Sequence, residues 1–125
     1  MEGFRVSKKG KDQLIILKRR TGLENWNVLC RWAFCISLAE ESSPRDDKIP
    51  ADSNIEMTWK TFAGENDKVY LELLRQRCIA DGYEPTENNL LKEFRLHVHR
   101  GISYLVGLPH LTSIAGLIET CVTQI

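Results

Sequence analysis

Residues 26–39 read WNVLCRWAFCISLA and set the architecture of the chain. Eleven of these fourteen residues are apolar, and the only interruptions are Asn27, Arg31 and Ser37. The apolar residues lie on every side of a helix predicted over residues 25–39, so this helix has to be buried on every side. A chain of 125 residues surrounds such a helix only with difficulty, so the stretch predicts a homo-oligomer. We expect the oligomer interface to contain Trp26, Leu29, Cys30, Trp32, Ala33, Phe34 and Ile36.

A basic segment precedes this helix. Arg5, Val6 and Ser7 are typical of a short extended stretch, and Ser7 is a good N-cap for a following helix. The sequence KKGKDQLIILKRR predicts that helix over residues 8–20. Gly22 fits the position just beyond the end of the helix, and the three cations before it suit the helix's negative end.

The charge of the chain is unevenly distributed, although 17 basic and 17 acidic residues cancel. Residues 1–40 carry a net charge of +4, and residues 41–125 carry −4. This segregation suggests an anionic partner for the first segment, or else a basic face that is simply solvated. On the helix over 8–20, Ile15 lies among the cations, which indicates a second partner for this helix. The main apolar stripe comprises Gly10, Leu14, Leu17 and Thr21.

The rest of the chain is predicted to be mainly helical with a minor β component. Residues 40–54 are polar, contain two prolines and predict a loop. The alternation of Ile55, Met57 and Trp59 with polar residues predicts a short strand. Helices are predicted over 67–81, over 86–106 and in the tail. The apolar side of the first is expected to be Val69, Tyr70, Leu73, Leu74 and Ile79.

These elements predict one domain over residues 1–125. Its parts are a basic strand–helix–helix segment (1–39), the polar loop (40–54) and a mostly helical part (55–125). The N-terminus has no apolar signal core, and no apolar stretch approaches the roughly 18 to 20 residues of a membrane span. We therefore expect a cytoplasmic protein that does not enter a membrane.

No motif in the sequence indicates catalysis, a cofactor or a metal site. A phosphate-binding glycine loop, a serine elbow and zinc-ligand spacing are all missing, although a serine nucleophile with distant partners stays open. His97 and His99 point about 200° apart on a helix and cannot share a metal ion. The cysteines are interpreted as small buried hydrophobes. An intersubunit disulfide at Cys30 or Cys35 is the open alternative.

The order of the first elements resembles a ribbon–helix–helix DNA-binding domain. In such domains paired strands enter the major groove, and the second helix builds the dimer core. Under this interpretation Arg5 and Ser7 face the groove, while Phe4 and Val6 pack inward. The cations of the first helix are better suited to phosphate contacts, which give affinity and salt dependence without base specificity.

Longer strings resemble the DndE family of the bacterial DNA sulfur-modification (phosphorothioation) system. The first run extends from Val6-Ser7-Lys8 through Asp12-Gln13-Leu14 to Leu17-Lys18-Arg19-Arg20-Thr21-Gly22, and the second is Trp26-Asn27-Val28-Leu29-Cys30-Arg31-Trp32-Ala33-Phe34-Cys35. Further matches are Pro50-Ala51-Asp52-Ser53-Asn54, Glu56-Met57 with Trp59, Leu74-Arg75-Gln76-Arg77-Cys78, and Phe94-Arg95-Leu96-His97 with His99-Arg100-Gly101. The last fifteen or so residues do not match.

The resemblance implies a non-enzymatic DNA-binding subunit that is a homo-oligomer, with a tetramer as one candidate. It implies a preference for nicked double-stranded DNA. We expect no cofactor, since no cofactor motif is present. It also implies other Dnd proteins as partners, which supply cysteine desulfuration, iron–sulfur chemistry and nucleotide hydrolysis. The basic positions that match the family are Lys8, Lys18, Arg19 and Arg20, and we expect these to bind DNA together with Arg5, Lys9 and Lys11 of the same basic segment. The alternative is a protein–protein adaptor whose basic face contacts acidic partners, with incidental DNA affinity.

Overall fold

The computed structural model describes residues 1–108, and the tail helix predicted beyond them lies outside the described residues. The described chain is mainly helical with one small sheet, as predicted. In chain order the elements are β1 (Phe4–Arg5), α1 (Lys8–Thr21), α2 (Trp26–Ala39), β2 (Glu56–Met57), α3 (Trp59–Ala63), a 3-10 turn (Gly64–Asn66), α4 (Asp67–Ala80) and α5 (Glu87–Val106). No helix within residues 1–108 is long and apolar enough to cross a membrane.

The core is built on the packing of α2 against α5. Gly101 of α5 lies directly against the backbone of Ala33 on α2, and a Cβ at position 101 would overlap the Ala33 carbonyl group. Phe34 follows in α2 and packs against Phe62 and Phe94, with ring centroids 5.6 and 5.4 Å away. The close helix contact and the aromatic cluster together bury the inner side of α2 within one chain.

Most of the α2 side chains that we expected at an oligomer interface are therefore covered by the chain itself. Buried in its core are Leu29, Cys30, Ala33, Phe34 and Ile36. Trp26 and Trp32 are only partly buried and lie at the edge of the core. One chain thus provides much of the burial that we predicted from a second copy.

The two short strands pair within one chain. β1 is antiparallel to β2, with Phe4 opposite Met57 and Arg5 opposite Glu56. The pairing continues in a hydrogen bond from the Val6 N–H to the Ile55 carbonyl at 2.9 Å. The order strand–helix–helix agrees with the ribbon–helix–helix pattern, but the partner of the first strand is β2 and not the same strand of another copy.

The strand predicted at residues 55–59 is shorter than its alternation suggested. Only Glu56–Met57 is strand, because Trp59 begins helix α3. The Thr58 side chain caps this helix by accepting a hydrogen bond from the Thr61 N–H at 3.1 Å. Three alternating apolar residues therefore reflect burial in two different elements.

Helix α4 forms where predicted, but its buried side differs from the predicted one. Leu74 is buried as predicted and Cys78 is buried as well, whereas Val69, Leu73 and Ile79 are 58%, 45% and 49% exposed. The prediction that these three face the core is wrong. The helix packs on α5 through a narrower strip than its sequence offers.

The loop over 40–54 contains no helix or strand, as predicted. Two arginines hold the end of α2 and the start of this loop. Arg77 of α4 donates to the carbonyl groups of Leu38 at 2.8 Å and of Glu40 and Ser42 at 2.7 and 2.8 Å. Arg100 of α5 donates to the Ser37 carbonyl at 2.7 Å. The Leu38 carbonyl is one of those that a helix end leaves without an intrahelical partner, and the bonds to Glu40 and Ser42 fix the start of the loop.

Candidate nucleic-acid interface

Helix α1 begins and ends at the residues that the sequence indicated. The Ser7 hydroxyl accepts a hydrogen bond from the Gly10 N–H at 2.9 Å and so caps the first turn. Gly22 has φ of 75°, which favours glycine, and its N–H donates to the Lys18 carbonyl at 2.9 Å. The buried side of the helix is Gly10, Leu14, Leu17 and Thr21, the predicted stripe.

The opposite side of α1 carries the cations. Lys8, Lys9, Arg19 and Arg20 are exposed, while Lys11 and Lys18 are half-buried. Within residues 1–108 none of these six side chains forms an ion pair with a carboxylate. Asp12 is the acid on this side of α1. The helix therefore presents a basic face whose charge is not neutralised by the part of the chain described.

Three of the cations are partly held by neighbours. Lys11 Nζ donates to Asn54 Oδ1 at 2.6 Å, and Arg20 Nη1 donates to the Val106 carbonyl at 2.9 Å. Lys18 Nζ lies 4.8 Å from the centroid of the Trp26 ring, a cation–π distance. None of these neighbours is a carboxylate, so these contacts orient the side chains without cancelling their charge.

Arg5 behaves differently from the cations of α1. Its guanidinium forms an ion pair with Glu56 at 2.7 Å and donates to the Ser53 carbonyl at 2.8 Å. Both partners lie in or beside β2, so Arg5 fastens β1 to the following strand. Its charge is therefore less available to an anionic ligand than that of Arg19.

Two apolar side chains interrupt the basic face. Ile15 and Ile16 are each 38% exposed in the middle of α1. A helix surface with apolar side chains at its centre and cations around them is more typical of contact with a partner than of exposure to solvent. The second partner expected for α1 stays a prediction.

The two histidines of α5 are fixed on different sides of the helix. His97 Nδ1 bonds with Ser37 Oγ at 2.8 Å, and His99 Nε2 accepts from the Ser7 N–H at 3.0 Å. Burial lowers the pKa of both rings, to about 3 for His97, where the Arg100 charge adds to the effect. Both rings connect helices, and residues 1–108 contain no group of three or more His, Cys, Asp or Glu side chains placed to hold a metal ion.

The three cysteines within residues 1–108 differ in solvent exposure. Cys30 and Cys78 are buried, as interpreted, and burial raises the pKa of the Cys30 thiol to about 12. Cys35 is exposed on the outer side of α2, so the interpretation as a buried hydrophobe is wrong for this residue. Cys121 lies outside the described residues.

Two further cations lie in the loop over 40–54, at positions that the sequence did not indicate. Arg45 and Lys48 lie across a cleft of about 440 Å³ from Lys9 of α1. They lie 36 and 39 positions from Lys9 along the chain, and no local pattern connects them with it. Only the fold brings this loop beside the first turn of α1.

Comparisons with known proteins agree with the resemblance noted from the sequence. A search of curated proteins finds no match. The crystal structure of DndE from Escherichia coli B7A, involved in DNA phosphorothioation modification, is 27% identical with a TM-score of 0.67; the match covers 84% of this chain and 97% of that one. The structure of a DndE G21/24K mutant involved in DNA phosphorothioation is 25% identical with a TM-score of 0.65, over 84% and 96% of the two chains. The model of the family described as DNA sulphur modification protein DndE matches residues 3–113. With nearly the whole chain matched, this protein belongs to the DndE family of DNA sulphur modification proteins.

Proposed function

We propose that this protein is a non-enzymatic, DNA-binding accessory subunit of the phosphorothioation machinery, and that the basic face of α1 contacts the phosphates of duplex DNA. The observation that carries the proposal is the set of six α1 cations without a carboxylate partner in residues 1–108. A helix side of this kind matches the regular negative charge of a DNA backbone. We also propose that the protein acts on DNA in the cytoplasm.

Contacts of this type give affinity without base recognition. Lysine and arginine bound to phosphates release counterions, so affinity falls steeply as salt rises. The exposed Arg19 and Arg20 lie in the last turn of α1, and Lys8 and Lys9 lie in its first. The two pairs are about 15 to 18 Å apart along the helix axis at 1.5 Å per residue. This spacing allows one helix to reach several phosphates.

A nick would favour binding if the protein bends the duplex. A continuous double strand resists bending, and a break in one strand removes part of that resistance. We therefore propose that nicked duplex is preferred over intact duplex. Equal affinity for the two would show that deformation contributes nothing to binding.

We propose that the protein is a homo-oligomer that joins through the outer side of α2. Val28, Arg31, Trp32 and Cys35 recur at helical spacing on that side. The first three are half-buried and Cys35 is exposed, while the opposite side of α2 lies in the core. An oligomer would also bring together several copies of the basic face, which raises the local positive potential of a chain with zero net charge.

The outer side of α4 favours a second function, binding of other Dnd proteins as an adaptor. Val69, Leu73 and Ile79 are exposed there, on a different helix from the basic face. Exposed apolar side chains on one helix are typical of protein contacts. The two functions are compatible, since they use different helices.

Fluorescence anisotropy with labelled intact and nicked duplexes tests the proposal, with light scattering on the same sample to measure the oligomer. We expect tight, salt-sensitive binding that is stronger for the nicked duplex. We also expect Trp32→Asp to reduce the oligomer size while the monomer stays folded, because Trp32 lies only at the edge of the core. A folded oligomer that binds neither duplex would refute DNA binding and favour the adaptor function.

A further inference from the structure

The cleft beside the first turn of α1 shares Lys9 with the basic face, but its other walls have no role in the proposed contact with duplex phosphates. Its volume is about 440 Å³, and it lies between α1, α5 and the loop residues 44–52. Small-molecule sites usually occupy about 300 to 1,000 Å³ and combine apolar walls with a few polar groups. The cleft is therefore large enough for a ligand of nucleotide size.

The loop wall of the cleft is held in place from several directions. Arg95 of α5 donates to the Ile49 carbonyl at 3.1 Å, and Lys92 forms an ion pair with Asp46 at 2.8 Å. At the far end of the loop, Asp52 Oδ1 accepts from the Lys8 N–H at 2.7 Å. A loop without regular structure that is fastened at its start, middle and end forms a wall that exists before a ligand arrives.

The cleft is positively charged, and three of the cations that line it have no ion-pair partner within residues 1–108. Lys9, Arg45 and Lys48 line it, and within residues 1–108 none of these three side chains forms an ion pair or a side-chain hydrogen bond. Of the two acids that line it, Asp52 is already bonded to the start of α1. The charge balance of the cleft therefore favours an anion.

The walls between these cations are apolar or neutral. Leu96 and the side chains of Pro44, Ile49 and Pro50 provide flat apolar surface, and Gln13 and Ser103 provide neutral polar groups. Ser103 Oγ donates to Gln13 Oε1 at 3.3 Å, a long bond that a ligand could replace. Such a cleft suits a ligand with a flat apolar body, hydrogen-bonding edges and an anionic group at one end.

We propose that this cleft binds a single 5′-phosphorylated nucleotide, with the phosphate against Lys9, Arg45 and Lys48 and the base between the apolar walls. The ligand is either a free mononucleotide or the unpaired terminal nucleotide of a DNA strand. The proposal does not depend on duplex binding by α1, because a mononucleotide is too small to span that face.

Titration of the ¹⁵N-labelled full-length protein with thymidine 5′-monophosphate, followed by amide chemical shifts, tests the proposal. We expect saturable shifts at the amides of Lys9, Gly10, Lys48 and Ile49. Thymidine alone and inorganic phosphate alone should each bind at least tenfold more weakly. Absence of shifts at these amides would overturn the proposal, and so would equal affinity for inorganic phosphate, which would reveal a bare anion site.

Charge-reversal variants show whether the mononucleotide binds in the cleft or elsewhere on the surface. Lys48→Glu should weaken the mononucleotide at least tenfold, and Lys68→Glu, on the exposed side of α4, should leave its affinity unchanged. Both residues are exposed, so both variants should fold. Equal affinity of the two variants would contradict the assignment.

A 5′-phosphorylated single-stranded oligonucleotide distinguishes the two possible ligands. If it shifts the same amides and binds with higher affinity than the mononucleotide, a strand end is the ligand. Equal or lower affinity would identify the free nucleotide as the ligand.

Discussion

The N–H of Ser7 donates a hydrogen bond to Nε2 of His99 at 3.0 Å, across 92 positions of sequence. Ser7 is also the N-cap of α1, so the helix that carries the basic face begins at a residue bonded to α5. The other ring nitrogen, Nδ1, bonds with the Arg95 carbonyl at 2.7 Å, which requires this nitrogen to carry the proton. The neutral ring therefore fixes the start of α1 only in this one tautomer.

Replacing His99 should destabilise the chain. His99→Ala leaves the Ser7 N–H buried without an acceptor and opens a cavity, so we expect a loss of about 2 to 3 kcal/mol in the free energy of unfolding. Urea denaturation measures it. Asn88→Ala, at an exposed position in the first turn of α5, is the control and should change stability by less than about 0.5 kcal/mol. A loss no larger than that of the control would show that the bond to Ser7 contributes nothing.

Acid should weaken the fold through the buried histidines. The pKa of His97 is lowered from 6.5 to about 3 by burial and by the nearby Arg100, so the folded chain binds fewer protons than the unfolded chain between these values. Stability is therefore full above about pH 6.5 and falls as the pH drops below it, by about 1.4 kcal/mol per unit for this residue. Urea denaturation at pH 7, 6 and 5 measures the slope. His97→Gln should flatten it, and an unchanged slope in this variant would contradict the assignment.

Glu93 should change the pH dependence of stability in the opposite direction, because its ionisation lowers the free energy of unfolding as the pH rises. It is 4% exposed, and its Oε2 has no hydrogen-bond partner within residues 1–108. Burial raises its pKa above 4.5, so the folded chain favours the protonated form and the ionised form costs stability at higher pH. Glu93→Gln should raise the free energy of unfolding at pH 8 by about 1 kcal/mol. Glu65→Gln, at an exposed position, is the control, and a destabilised Glu93→Gln protein would show that the carboxylate is needed in its charged form.

The contact between α2 and α5 should tolerate no side chain at Gly101. Its Cβ would overlap the carbonyl of Ala33, which can move only if the two helices separate. We expect Gly101→Ala to cost about 3 kcal/mol or more. Gly107→Ala is the matched control on the same chain segment, because its Cβ would lie at an ordinary 3.5 Å from the carbonyls of Ser103 and Tyr104. Thermal melting should separate the two variants clearly, and similar melting temperatures would refute the close helix contact.

The sequence predicts those elements whose signals are local. Ser7 and Gly22 delimit α1 because a cap hydroxyl and a left-handed glycine act within one turn. The period of Leu90, Phe94, Val98 and Ile102 likewise predicts α5, whose packing buries all four residues.

Other features depend on tertiary contacts that the sequence does not encode locally. The exposure of Val69 and Leu73 depends on how much of α4 the rest of the chain covers. The alternation around Met57 arises from a strand residue followed by a helix start. The α2 helix is apolar on all sides, but α5 buries its inner side within one chain, so its sequence alone cannot assign each residue to the core or to an interface. The cleft between Lys9 and Lys48 depends on the path of the loop over 40–54, which has no periodic signal.

The salt dependence of duplex binding by charge-reversal variants is the decisive test of DNA binding by the basic face of α1. Anisotropy titrations between about 50 and 200 mM salt would compare the unmodified protein with Arg19→Glu on α1 and with Lys68→Glu on α4. We expect Arg19→Glu to weaken binding to every duplex at low salt and to make the salt dependence shallower, while Lys68→Glu should change neither. Unaltered affinity and salt dependence in Arg19→Glu, or the same loss in Lys68→Glu, would contradict the claim that the basic face of α1 binds DNA.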